Sequence, residues 1–97
     1  MSCYFVIDTY IDPAEGRGEY DEYIELVKPI VEAHNGEYIV RSEKIIPLNE
    51  ARNPQRIIII RFSSKKELSD CFSSQEYRDI QEKRVSSVDA RAVIVEE

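Results

Sequence analysis

A chain of 97 residues with a net charge of −6, from 19 Asp and Glu against 13 Lys and Arg, makes one domain spanning 1–97, with no room for a second core. Its 42% apolar and 33% charged residues fit a folded globular protein and exclude a disordered one. The acidic balance argues against a nucleic-acid partner, whose grip on phosphates needs a basic face. No stretch approaches the roughly 18 apolar residues of a membrane span, and no secretory apolar region follows Met1, so no membrane partner and a cytoplasmic location are expected. The two cysteines, Cys3 and Cys71, and the single histidine show no CxxC, HExxH or clustered spacing. They predict reduced, buried thiols, and neither a metal nor a cofactor.

Residues 3–11, CYFVIDTYI, are aromatic and β-branched and read as a first strand. Asp12-Pro13 with Glu15 has capping-box spacing, but Gly16 and Gly18 interrupt it, so a single turn precedes the main helix. From Glu19 the spacing turns helical: Tyr20, Tyr23, Ile24, Val27, Ile30, Val31 and His34 form one stripe. Pro29 removes one backbone donor inside it, which predicts a kink or an opened turn. Asn35-Gly36 tolerates the left-handed conformation that stops a helix.

Residues 37–46 read as a second strand with polar residues on both faces, as at a sheet edge. A polar loop, 47–55, leads to RIIIIRF, Arg56 to Phe62, the third strand. Ser64 with Glu67, and Ser73 with Glu76, repeat the capping signal, so the second helical region divides near Ser73-Ser74. Residues 90–96 close the chain as a fourth strand.

The order is βαββαβ, a ferredoxin-like α+β arrangement: a four-stranded antiparallel sheet with two helical regions on one face. RIIIIRF then poses a problem of cover. Ile58, Ile60 and Phe62 point one way, and Ile57 and Ile59 the other. The helices cover one set. Leaving the other in water forfeits about 1.5–3 kcal/mol per large side chain, so the chain is expected to pair with itself, sheet against sheet, as a homodimer.

Four stretches carry a family resemblance. FVIDTYIDPAE, HNGEYIVRSE, PQRIIIIRFSS and SSQEYRDIQEKR resemble, in order and over nearly the whole chain, the family called domain of unknown function 1330. The resemblance implies a dimeric α+β barrel, related to cofactor-free monooxygenases, muconolactone-type isomerases and stress-responsive barrel proteins. It picks out Arg41, Tyr77 and Arg84 as matching positions. The GRG segment at 16–18 departs from the pattern as an insertion, and Ser42-Glu43 stands where small residues would follow the arginine.

His34 is the one side chain that titrates near neutrality unperturbed, which makes it a candidate acid or base; at a helix end it serves equally as a packed cap. Asp8 lies inside an apolar strand, and Arg41 shares a strand face with Ile39, so each needs a partner. An Asp8–Arg41 or Asp8–Arg61 ion pair is one reading. The other is a site in which Asp8 and His34 are catalytic and Arg41, Tyr77 and Arg84 bind a small organic anion. The expected function is small-molecule binding, with cofactor-free acid–base chemistry of the isomerase or monooxygenase kind on an oxygenated or carboxylated compound. A non-enzymatic homodimeric ligand sensor or stress protein is the alternative.

Overall fold

The computed structural model describes residues 2–97. Its elements are β1 (Cys3–Tyr10), α1 (Tyr20–Ala33), β2 (Glu37–Ser42), β3 (Arg56–Phe62), α2 (Lys65–Ser73), α3 (Gln75–Val85) and β4 (Asp89–Glu96). The sheet order is β2-β3-β1-β4, all neighbours antiparallel, so RIIIIRF and the first strand hold the centre. The fold is ferredoxin-like α+β, with the second helical region in two pieces.

Directly paired residues share a face, which sorts the sheet into rows. The inner rows are Ile94–Phe5–Ile60–Tyr38 and Ala92–Ile7–Ile58–Arg41, and the helices pack on them. Tyr20, Tyr23, Val27 and Val31 of α1, Leu68 and Cys71 of α2 and Tyr77 of α3 complete that core. On the outer face one row, Val93–Val6–Ile59–Val40, is aliphatic across all four strands, and no helix lies over it. Val93 is 60% exposed.

Local chemistry explains the boundaries. α1 stays continuous through Pro29, whose missing donor leaves a carbonyl on the exposed side and does not end the helix. At its end Asn35 takes the left-handed conformation (φ 65°). Gly36 is there for space: a Cβ at this position would meet Val31 Cγ1 at 2.5 Å and the Phe62 ring at 3.0 Å. Ser64 caps α2 by accepting from the Glu67 amide. Ser74, one residue beyond the expected Ser73, caps α3 by accepting from the Tyr77 amide.

Two expectations for β2 change. The second strand ends at Ser42 and not at 46, because β3 begins at Arg56 and offers nothing opposite Ile45 and Ile46. A register shift between Tyr38 and Val40 leaves Ile39 without a partner. That bulge moves Arg41 to the side of Tyr38 and Ile58, opposite to the face that simple alternation with Ile39 predicts.

The GRG segment at 16–18 ties the end of the sheet together. Arg17 donates to both oxygens of Glu43, at 3.0 and 3.3 Å, and stacks over the Tyr20 ring. Arg56, buried on the inner face of β3, donates to the same carboxylate at 3.1 Å. The two guanidinium groups hold Glu43 below the usual carboxylate range, Arg17 through the stronger hydrogen bonds.

Candidate functional site

Two tyrosines from separate helices meet between the helices and the sheet. α1 carries Tyr23 inward on its buried stripe, and α3 carries Tyr77 inward in its first turn. Their hydroxyls are 3.0 Å apart and buried. Arg84, two turns after Tyr77 on the same face of α3, donates from Nε to the Tyr77 hydroxyl at 3.4 Å and lies over the Tyr23 ring. Burial, then the neighbouring Tyr77, pushes the Tyr23 phenol well above its ordinary range. Tyr23 is therefore a neutral phenol at physiological pH.

Aromatic rings build the walls. Phe5 stacks on Phe72 with centroids 4.4 Å apart, and Phe72 meets Tyr77 edge-on at 5.0 Å. Tyr38 closes the β2 side, its phenol pushed up to about 12 chiefly by burial. The partly open space beside Phe5, Phe72, Tyr23 and Tyr38, lined also by Tyr20, Val27, Ile58 and Ile60, is ≈ 20 Å³, room for about one water molecule. Arg84 is the one charged residue that lines it. A larger hollow of ≈ 380 Å³ lies between Ser2, Cys3, Ser63, Lys65 and Glu96. It is a poorer site: burial and then Glu96 push the Cys3 thiol up, away from the reactive thiolate.

The residues singled out in the sequence separate into three places. Tyr77 and Arg84 are together through their hydrogen bond; Arg84 lines the cleft, and Tyr77 adjoins it through Tyr23 and Phe72. His34 caps the far end of α1, 11 residues or about 16 Å along the axis from Tyr23, and does not line the cavity. Its Nδ1 is 2.9 Å from the Ile30 carbonyl oxygen, which puts the ring proton on Nδ1. Arg41 lies on the inner face at the β2 edge, donating to the Ile24 carbonyl at 2.9 Å and stacking over Tyr38.

Asp8 is on the outer face, in the row of Arg91 and Ile57, so the sheet itself stands between it and Arg41. Its partner is neither Arg41 nor Arg61 but Arg52 of the β2–β3 loop, which donates from Nε at 2.8 Å and from Nη2 at 3.2 Å. The structure thus does not gather Asp8, His34 and Arg41 into one pocket. Sequence reasoning placed Tyr23 on the buried stripe and missed its polar end; a second tyrosine three residues from Tyr20 was the available signal.

The model of the family described as Domain of unknown function (DUF1330) matches residues 2–97. The chain belongs to that family. This DUF1330 chain shares its architecture with solved structures of low sequence identity. The RPA0582 protein of unknown function from Rhodopseudomonas palustris is 16% identical, with a TM-score of 0.80 over 99% of this chain and 82% of that one. A dimeric ferredoxin-like protein of unknown function from Thermobifida fusca is 9% identical, with a TM-score of 0.70 over 100% and 92%. SnoaB from Streptomyces nogalater, a cofactor-independent oxygenase, is 6% identical, with a TM-score of 0.70 over 99% and 92%. No curated protein matches this chain. At such identities the likeness extends to the fold alone. Among the described residues, no helix is long and apolar enough to cross a membrane, and no three His, Cys, Asp or Glu side chains gather around a common point.

Proposed function

We propose that this chain is a cytoplasmic homodimer, closed sheet against sheet, and that each subunit admits a small oxygenated or carboxylated organic compound between α1, α3 and the sheet. The observation that carries this reading is the Tyr23–Tyr77–Arg84 constellation: two hydrogen-bonded phenols and one guanidinium at the edge of an aromatic cleft that Tyr23 and Arg84 line. Apolar walls with a few aimed polar groups are what a small-ligand site needs. Arg84 pairs with the compound's anionic oxygen. The 3.4 Å contact to Tyr77 is long and weak, so the arginine exchanges it for the ligand at little cost and opens the cavity as it moves.

The chemistry follows from protonation. With the Tyr23 phenol held neutral, a hydroxyl in this site donates a hydrogen bond to a carbonyl or carboxylate oxygen of the compound. The donor part of the role expected of His34 passes to the tyrosines, and the anion role expected of Arg41 passes to Arg84. Asp8 has no part in the reaction in this reading. SnoaB supports it only in so far as the same fold hosts cofactor-independent chemistry there. A second reading is that the ligand is sensed and not turned over, favoured by a lining that, among the described residues, holds no carboxylate or imidazole to accept a proton.

Thermal unfolding in the presence of benzoate, salicylate, catechol and acetoacetate tests the site. A stabilisation seen with at least one of them and lost in Arg84→Gln is expected. Failure of all four, or equal stabilisation of the variant, contradicts it. Consumption of the stabilising compound then separates enzyme from sensor.

A further inference from the structure

We infer that the β2–β3 segment, residues 43–55, is an arm that clasps a second copy of this chain. Its tip carries the most exposed large hydrophobic side chains among the described residues: Ile46 is 88% exposed and Leu48 91%, on either side of Pro47. Two aliphatic side chains held this far into water are unusual in a segment that is otherwise well anchored.

The anchoring is extensive. Asn49 and Arg52 form a β-bridge, and Arg52 forks onto Asp8. Gln55 donates its amide to the Thr9 carbonyl at 2.9 Å and accepts the Ile11 amide on Oε1 at 2.6 Å. The tip is therefore presented by a braced base.

The partner follows from what the arm adjoins. Ile57 lies on the outer sheet face and also lines the hollow beneath the arm, with Ile45, Pro47, Leu48 and Pro54. The arm thus meets the outer face at Ile57, on the same strand face as Ile59 and one row from the aliphatic one. Charge points the same way: residues 45–55 carry one Glu and one Arg, so two copies, each of charge −6, approach there without local repulsion. A two-fold axis presents each interacting arm twice. The inference rests on the face-to-face dimer proposed above.

Two measurements test it. In sedimentation equilibrium, Ile46→Asp combined with Leu48→Asp is expected to weaken the dimer by about tenfold or more, with unchanged circular dichroism. A dissociation constant within about twofold of wild type overturns the arm and leaves the sheet-face dimer standing. A wild-type protein that stays monomeric at all concentrations overturns both. Where the double variant fails to fold, a nitroxide on Leu48→Cys replaces it, since Cys3 and Cys71 are buried. In mixed dimers with methyl-labelled subunits, the nitroxide is expected to broaden outer-face methyls of the methyl-labelled copy. Absence of that broadening overturns the arm.

Discussion

The Tyr23 and Tyr77 hydroxyls lie 3.0 Å apart, although 54 positions separate them in the chain. The contact joins α1 to α3 above the inner face of the sheet. It also determines how the site responds to substitution. Tyr77→Phe strands the buried Tyr23 hydroxyl and is expected to cost about 1–3 kcal/mol, and Tyr23→Phe costs less because Tyr77 still accepts from Arg84. The double variant removes both groups, so its cost falls short of the sum of the singles. Urea denaturation of the four proteins measures the coupling; strict additivity would show that the two hydroxyls are energetically independent.

Glu43 gives stability a pH dependence of known sign. Its folded pKa is lowered, first by the Arg17 hydrogen bonds and then with help from Arg56. A depressed carboxylate contributes stability that is fully present above its unfolded pKa and is lost as pH falls through the folded value. Unfolding free energy should decline below about pH 4.5, and Glu43→Gln should flatten that part of the curve. Half-exposure of the carboxylate makes the effect salt-sensitive. An unchanged acid limb in Glu43→Gln would show that the two arginines do not latch this end of the sheet.

The Asp8–Arg52 fork holds the base of the 43–55 segment on the sheet. Asp8→Asn keeps the size and removes the charge. Amide exchange across 43–55 is expected to rise by several-fold or more, while β1 and β3 keep their protection. Equal rises in the central strands would mean that Asp8 supports the whole sheet and not the loop.

Gly36 has no positive φ to justify it; it leaves room for Val31 and Phe62, two buried side chains. Gly36→Ala should destabilise by roughly 1–3 kcal/mol through overpacking. A neutral or stabilising effect in thermal unfolding would show that α1 shifts freely on the sheet.

The outer row explains why a charge should separate the subunits. Val93→Asp puts a carboxylate into the proposed interface on both copies, so the dimer should weaken by about a hundredfold or more without loss of the helices. Light scattering with circular dichroism reads both quantities. A folded, fully dimeric variant would place the interface elsewhere.

Much of the fold was legible because burial imposes a period. The stripe from Tyr20 to His34 specifies α1, and the isoleucine run divides into Ile58 and Ile60 inward, Ile57 and Ile59 outward, as its pairing confirms. The site was less legible, for reasons that are also physical. Ile39 bulges, and one extra residue reverses the face of Arg41. Asp8 takes its partner from a loop 44 residues away, and no local pattern encodes that contact. Ile45 and Ile46 have the composition of a strand but no strand opposite them. Tyr23 read as apolar core, because periodicity reports where a side chain points and not what its hydroxyl meets.

The claim that the Tyr23–Tyr77–Arg84 cleft takes a small organic anion is tested most directly by methyl NMR during titration with a compound that stabilises the protein. Saturable shifts are expected at Val27, Ile58 and Ile60, which line the cleft, with Val93 and Val95 unmoved and the whole response abolished in Arg84→Gln. Shifts confined to the outer sheet face, or a response that survives in Arg84→Gln, would contradict it.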